Sequence, residues 1–221
     1  MCSSECWYKE VCDNYKEGCD RLCVRYKEMK FLMEHSNIPR NKQRPIALSP
    51  YQCDYDAFCR LAEIKDNIVS FVDSGKNLYI TSSTVGNGKT SWSLKLLMKY
   101  FEEVWEGNGY VPRGVIVHVP TFLAKCKDFK TTDTEFEELK RLVLDVDLVV
   151  WDDIAGVTMS NYDYTQLLVC LDAREFKGLS NIFTGNIPSR EGLLSALGAK
   201  ITSRVWNSQT EVVEFFGGER R

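Results

Sequence analysis

The stretch Leu78-Tyr-Ile-Thr-Ser-Ser-Thr-Val-Gly-Asn-Gly-Lys-Thr90 decides the fold, because an apolar run leads through a glycine-rich turn into a helical pattern. A strand, a turn and a helix in this order are the context of a phosphate-binding P-loop, G-x-x-x-x-G-K-[ST]. The pattern holds at Gly88, Lys89 and Thr90, whereas Ser83 stands where the first glycine is usual. Taken alone, the segment also fits an ordinary glycine-rich turn between a strand and a helix.

The residue types in this turn suit a bound polyphosphate. Gly88 permits a tight turn whose successive N–H groups can wrap an anion, and the helix that follows adds the positive end of its dipole. We expect Lys89 to contact the β- and γ-phosphates and Thr90 to hold Mg²⁺. The residues expected to contact the nucleotide and its ion are Ser83, Thr84, Val85, Gly86, Asn87, Gly88, Lys89, Thr90, Ser91 and Asp152.

A second motif supplies the carboxylates that such a site needs. Leu148-Val-Val-Trp-Asp-Asp153 is an apolar strand pattern that ends in two acids. We expect Asp152 to help hold Mg²⁺ and Asp153 to orient the attacking water. An acidic turn after a core strand is the alternative, but the two motifs in this order are much more specific than either one alone.

Two further polar residues complete the predicted catalytic set, which is Asp153, Asn186 and Arg204. Asn186 follows the apolar run Asn181–Thr184, where its amide could hydrogen-bond both the water and the γ-phosphate. Gly-Asn is also an ordinary turn. Arg204 follows a short helical pattern, and its guanidinium suits bidentate contact with the γ-phosphate of a neighbouring subunit, as an arginine finger. A surface arginine is the alternative.

The composition indicates one main domain with a small appendage, since the chain has 221 residues of which 44% are hydrophobic. Apolar strand patterns alternate with helical ones, which predicts an α/β fold with a mostly parallel sheet flanked by helices. The net charge of −3 excludes a globally basic nucleic-acid binder. No apolar run approaches the ~20 residues of a membrane helix, and the N-terminus has no apolar signal core. We therefore expect a cytoplasmic protein without a membrane partner.

Cysteine is concentrated at the N-terminus, where five of the nine cysteines fall within the first 23 residues. Cys6, Cys12, Cys19 and Cys23 offer four thiolates, which suit tetrahedral Zn²⁺. An Fe–S cluster and a segment without metal are the alternatives. The predicted organisation is a cysteine-rich module over residues 1–36, a linker over 37–53 and an ATPase domain over 54–221.

In this order the motifs resemble the AAA+ ATPases of the DnaC/DnaI/IstB class, which comprises bacterial replicative-helicase loaders and their transposition relatives. The resemblance covers residues 36–221. It is carried by Ser36–Arg40 before the ATPase core, Ser83–Thr90 as Walker A, Val149–Gly156 as Walker B, Thr184–Asn186 as sensor 1, Leu197–Arg204 as the arginine-finger box and Phe215–Arg220 as the last strand with its terminal Gly-x-x-Arg. The class implies an AAA+ core without a separate lid domain, and the compact form suggests a phage or prophage version.

The resemblance also implies a function. The AAA+ core would bind ATP and Mg²⁺, hydrolyse ATP slowly until DNA or assembly stimulates it, and self-associate through Arg204 in trans. The N-terminal zinc module would bind a DnaB-type hexameric helicase, which the protein delivers onto single-stranded DNA. The alternatives are an IstB-like transposition helper, a P-loop kinase acting on a small molecule, and a protein with the Ser83 variant loop that only binds nucleotide.

Overall fold

The computed structural model describes residues 12, 15–16, 19, 22–43, 46–128 and 133–219. The helices in this part of the chain are α1 (Val24–Glu34), α2 (Tyr55–Asp66), α3 (Ile68–Asp73), α4 (Lys89–Val104), α5 (Val119–Cys126), α6 (Thr134–Asp145), α7 (Asn161–Lys177) and α8 (Arg190–Val205). The strands are β1 (Asn77–Thr81), β2 (Gly114–His118), β3 (Leu148–Asp152), β4 (Ser180–Gly185) and β5 (Thr210–Glu214). Within those ranges no helix has the length and apolar composition to cross a membrane.

The five strands form one parallel sheet in the order β2-β3-β4-β1-β5. Helices connect successive strands, as parallel pairing requires. Because the carboxyl ends of parallel strands share one edge, the loop after β1 meets Asp152 at the end of β3 and Gly185 at the end of β4. The predicted α/β fold, with a parallel sheet flanked by helices, is confirmed.

Apolar side chains cover both faces of the sheet, because alternate residues of a strand point to opposite sides. Ile80 and Val150 pack on one face with residues of α1 to α4. Tyr79 and Trp151 pack on the other face with residues of α5 to α8. Strands covered on both faces are nearly continuous apolar runs, which explains the sequence of β3.

The helix before the ATPase motifs shares this core. Met29 and Leu32 of α1 are fully buried in the same cluster as Ile80. The chain after α1 lies along β2, since Ile116 N donates to the Ser36 carbonyl at 2.9 Å and Asn37 Nδ2 donates to the Ile116 carbonyl at 2.8 Å. The division into a module, a linker and an ATPase domain stays a prediction, but the end of the predicted module packs on the ATPase fold.

Two helical segments are interrupted, one at an asparagine and one at a glycine. The helical pattern over residues 55–72 forms α2 and α3, which are separated at Asn67 (φ −119°, ψ 28°). The Asn67 side chain donates to the Glu63 carbonyl at 2.9 Å, as short polar side chains do where they compete with helical hydrogen bonds. Helix α8 is broken at Gly198 (φ 72°, ψ 167°), which divides it into two shorter helical segments.

A buried arginine joins α7 to the ends of three other elements. Arg174 has no exposed surface. Its five N–H groups donate at 2.6 to 3.3 Å to Oδ1 of Asn181 and to the carbonyl oxygens of Val143, Val146, Asp147 and Ser180. Burial lowers the pKa of Arg174, while the five acceptors favour the charged form, which alone offers five donors. Arg174 therefore fixes α7 against the end of α6 and the starts of β3 and β4.

Candidate nucleotide site

The loop between β1 and α4 has the backbone geometry that a P-loop requires. Gly86 (φ 74°) and Gly88 (φ 102°) have positive φ, a region that glycine enters without steric cost. Gly88 caps the N-terminus of α4, which has 16 residues, so the helix dipole points at the loop. Ser83 does not have a positive φ. A serine at the position of the first glycine therefore imposes no left-handed strain on this loop.

Lys89 is held inside the loop by neutral acceptors. Its side chain is buried and its Nζ donates to the Thr84 carbonyl at 2.8 Å and to Asn87 Oδ1 at 3.2 Å. Burial lowers the pKa of Lys89, and the carboxylates of Asp153 and Asp152 partly oppose that shift. Among the described residues no ion pair involves Lys89. A polyphosphate would supply the anionic partner that this ammonium lacks.

The other predicted nucleotide contacts lie around this lysine. Asn87 is buried and donates through Nδ2 to Thr84 Oγ1 at 3.1 Å, which braces the loop from within. The Val85 side chain is exposed, and Ser91 lies half-buried in the first turn of α4. The sequence around Lys89 thus forms one continuous turn, with its glycines half-buried and the Asn87 amide inside.

Thr90 and Asp152 lie together beneath the loop. Thr90 Oγ1 donates to Asp152 Oδ1 at 2.7 Å, although the two residues are 62 positions apart in the sequence. Hydroxyl and carboxylate oxygens are ligands that Mg²⁺ accepts, usually with several waters and phosphate oxygens completing its shell. The donor set present here therefore fits the magnesium ion that the fold implies, and Thr90 and Asp152 are the residues that would hold it.

Asp153 directs its carboxylate through an unusual backbone conformation. It has a φ of 60°, which only a few per cent of non-glycine residues adopt and which aspartate tolerates better than most. Its N–H donates to Thr184 Oγ1 at 3.0 Å. Its carboxylate lies directly over Gly156, where a β-carbon would overlap it. The glycine thus leaves the space that the Asp153 carboxylate occupies.

Asn186 lies at the carboxyl ends of the parallel strands, whereas Arg204 lies at their amino ends. Asn186 follows β4 at the carboxyl edge, between the strand ends that carry Asp152 and the P-loop, and its side chain is exposed. The Arg204 carbonyl accepts from Asn77 Nδ2 at 3.0 Å, which places it at the start of β1. The P-loop begins at the other end of that strand, about 15 Å away at ~3.3 Å per residue. Arg204 therefore does not reach its own P-loop.

Carboxylates on α7 hold the Arg204 side chain at the surface. Its Nε lies 2.8 Å from Asp172 Oδ1 and 2.9 Å from Glu175 Oε2. The hydrogen bond to Asp172 and the charge of Glu175 raise the pKa of Arg204. The guanidinium is consequently oriented on an outer face of α7 and α8.

The sequence did not predict that the C-terminal segment Phe216–Glu219 lies against the P-loop. Buried Asp54 accepts hydrogen bonds from the N–H groups of Phe216 (2.7 Å) and Gly217 (3.0 Å). Thr84 Oγ1 donates to the Gly217 carbonyl at 2.9 Å, and the Glu219 side chain lies against Gly86. No local pattern signals a contact between residues 163 positions apart.

The predicted cysteine site lies partly outside the described residues. Cys6 is not among them, whereas Cys12, Cys19 and Cys23 are. Cys19 Sγ accepts from the Lys16 N–H at 3.3 Å. Across the described ranges, no three histidine, cysteine or acidic side chains form a group that could hold a metal ion. The zinc site stays a prediction.

The similarity of this chain to known proteins lies in its fold. No protein-family model matches the chain, and no curated protein matches it. Solved structures do match. The DnaC helicase loader has 18% identity and a TM-score of 0.62, with 77% of this chain and 94% of that chain covered. DnaI has 22% identity and a TM-score of 0.62, with 84% and 95% covered.

A third solved structure is a predicted primosome component from Streptococcus pyogenes serotype M3. It has 25% identity and a TM-score of 0.60, and the match covers 86% of this chain and 98% of that chain. These three matches cover 94% to 98% of the other chains and 77% to 86% of this chain. The resemblance inferred from the motifs is confirmed in the fold, which is that of the DnaC/DnaI class of AAA+ ATPases.

Proposed function

We propose that the protein is an ATP-dependent helicase loader, which binds a DnaB-type hexameric helicase and delivers it onto single-stranded DNA. The observation that carries this proposal is the match to the DnaC helicase loader and to DnaI over 94% and 95% of their chains. The Thr90–Asp152 pair beneath a glycine-shaped loop supports an ATP-driven cycle in the same fold.

In the proposed cycle each residue has one task. The N–H groups after Gly86 and the Lys89 ammonium bind the phosphates, and Thr90 and Asp152 hold Mg²⁺, which neutralises phosphate charge when bound. Asp153 orients the attacking water. Asn186, at the neighbouring strand end, donates a hydrogen bond toward the γ-phosphate.

Arg204 is proposed to complete the site of a neighbouring copy. Its position at the edge of the sheet opposite its own P-loop supports a role in trans. An arginine finger stabilises charge that develops in the transition state and is worth about 10³-fold or more in rate. Hydrolysis would therefore be slow in the monomer and faster once copies assemble on DNA or helicase.

The test combines two readouts. Wild-type protein and Lys89→Ala are passed over a size-exclusion column with the host's DnaB-type helicase, with and without ATP. Helicase loading is measured as strand displacement on a single-stranded circle carrying one annealed oligonucleotide. We expect wild-type protein to co-elute with helicase and to stimulate displacement, and Lys89→Ala to lose the ATP-dependent part. A protein that neither co-elutes nor stimulates displacement in any nucleotide state is not a loader for that helicase.

The cysteine-rich segment is proposed to hold Zn²⁺ and to contribute the helicase contact. Four thiolates within 18 residues support the metal assignment. Metal analysis of purified protein should give about one zinc per chain, falling when Cys6 and Cys12 are both replaced by serine. Iron with sulfide would indicate a cluster instead, and no bound metal in freshly purified protein would contradict both assignments.

A further inference from the structure

One threonine hydroxyl contacts both acids of the candidate site. Thr184, at the end of β4, has only 2% of its surface exposed. Its Oγ1 donates to Asp152 Oδ1 at 2.7 Å and accepts from the Asp153 N–H at 3.0 Å. Its carbonyl accepts from the Ile154 N–H at 2.9 Å. Thr184 therefore contacts three consecutive residues of the segment that carries both carboxylates.

The two carboxylate oxygens of Asp152 differ in their hydrogen bonds. Oδ1 accepts from the hydroxyls of both Thr90 and Thr184. Among the described residues, no hydrogen bond or ion pair ends on Oδ2 of Asp152. A hydroxyl has one donor and two acceptor lone pairs. Donation to Oδ1 leaves the lone pairs of Thr90 available, and the fixed carboxylate presents its second oxygen to an ion.

The same hydroxyl supports the backbone of Asp153. A non-glycine residue in the left-handed region is strained unless its surroundings hold it there. The bond from the Asp153 N–H to Thr184 Oγ1 and the bond from the Ile154 N–H to the Thr184 carbonyl provide that support. Without the hydroxyl, a backbone N–H beside the site loses its partner, and the turn that places the Asp153 carboxylate loses one of its two hydrogen bonds to Thr184.

We propose that Thr184 is a positioning residue of the nucleotide site, which sets the carboxylate of Asp152 for the metal ion and the turn of Asp153 for the water. The proposal rests on the proposed ATPase activity. Thr184 also links the end of β4, which Asn186 follows, to Asp152 at the end of β3.

The experiment compares Thr184→Val with Thr184→Ser. Valine keeps the shape and removes the hydroxyl, whereas serine keeps the hydroxyl. Thr202→Val is the matched control, because Thr202 is equally buried and its Oγ1 has no hydrogen-bond partner in the part of the chain that the structure describes. ATP turnover is measured against Mg²⁺ concentration, and binding of a fluorescent ATP analogue is measured with Mg²⁺ and with EDTA.

For Thr184→Val we expect kcat to fall about 10- to 100-fold and the half-saturating Mg²⁺ concentration to rise about 10-fold, as for other residues that orient metal ligands. Analogue binding in EDTA should stay within about twofold of wild type, since Lys89 and the loop are intact. Thr184→Ser should restore most of the loss, and Thr202→Val should change none of these values. A purely structural role would lower binding in EDTA together with kcat.

Three results would overturn the proposal: a Thr184→Val protein with the wild-type Mg²⁺ dependence, a serine variant as impaired as the valine one, or equal losses with and without Mg²⁺. If valine prevents folding, Thr184→Cys replaces it and is read against Thr184→Ser in the same way. If wild-type protein shows no turnover, the proposed ATPase fails, whereas the Mg²⁺ dependence of analogue binding still decides the role of Thr184.

Discussion

At the scale of single residues, the candidate site depends on the space that is available to the Asp153 carboxylate. Asp153 combines a positive φ with a carboxylate placed over Gly156. Gly156 itself does not have a positive φ, so its backbone would accept an alanine. Gly156 is therefore required for the space it leaves rather than for its conformational freedom.

Gly156→Ala tests this arrangement. The new methyl group would displace the Asp153 carboxylate, so we expect kcat for ATP hydrolysis to fall at least about 10-fold while ATP affinity stays within about twofold. Steady-state turnover and equilibrium binding of an ATP analogue measure the two quantities, and the thermal midpoint controls for folding. Unchanged turnover would show that the position of Asp153 does not limit hydrolysis.

Residue-scale prediction from the sequence rests on positions where chemistry and spacing coincide, and the roles of these residues toward nucleotide and Mg²⁺ stay predictions. Lys89, Thr90 and Asp152 were predicted from two local motifs, and the structure brings Thr90 and Asp152 within 2.7 Å. Thr184 gave a weaker signal, since one polar residue at the end of an apolar strand also fits a strand that simply ends. Its role became visible only through hydrogen bonds to residues 31 and 32 positions away.

At the scale of elements, α7 is fixed by a single buried cation. Arg174→Lys would leave several of the five acceptors without donors, and each buried unsatisfied group costs about 1–3 kcal/mol. We expect the free energy of unfolding to fall by about 2 kcal/mol or more, measured by chemical denaturation. Arg190→Lys, at an exposed position at the start of α8, is the control and should be nearly neutral. Equal stability of both variants would contradict the assignment.

The break in α8 gives a second prediction at this scale. Gly198 (ψ 167°) lies in a region that is almost restricted to glycine, whereas Gly178 (φ 66°, ψ 31°) caps α7 in the left-handed helical region, which asparagine also adopts. Gly198→Asn should cost about 1–3 kcal/mol, and Gly178→Asn should cost clearly less. Paired denaturation curves measure the difference. A Gly178 variant as unstable as the Gly198 variant would count against this explanation.

Element boundaries were predicted well wherever the hydrophobic period changes. Both motif-bearing strands were read from apolar runs, and α4 from the pattern that starts at Lys89. The break between α2 and α3 was missed because apolar positions such as Leu61, Ile68 and Phe71 keep the helical period across Asn67. Hydrophobic periodicity indicates which face of a helix is buried. It does not indicate that the backbone leaves the helical conformation at a single residue.

At the scale of the whole molecule, the sheet separates the P-loop from Arg204. If Arg204 has the proposed role as an arginine finger, a complete site needs two copies. A mixture of Lys89→Ala and Arg204→Ala tests this directly. Each variant alone should be inactive, but the mixture should recover part of the stimulated rate, because the intact P-loop of one copy would meet the intact Arg204 of another.

The control for this mixture is the double variant, Lys89→Ala with Arg204→Ala in one chain. It brings neither an intact P-loop nor an intact finger, so adding it to either single variant should restore nothing. Turnover is followed across mixing ratios, and co-assembly is checked by light scattering. Two variants that assemble together and yet regain no activity at any ratio would exclude a role for Arg204 in trans.

The contact between the C-terminal segment Phe216–Glu219 and the P-loop has a practical consequence for handling the protein. Asp54 and Thr84 hold this segment, and the Glu219 side chain lies against Gly86. A fluorescent protein or affinity tag joined directly after Arg221 would be separated from Glu219 by only two residues, and so could disturb that contact. Reporter groups for binding and turnover experiments therefore belong elsewhere, for example at exposed Cys59 on α2, where a label leaves the C-terminal segment in place.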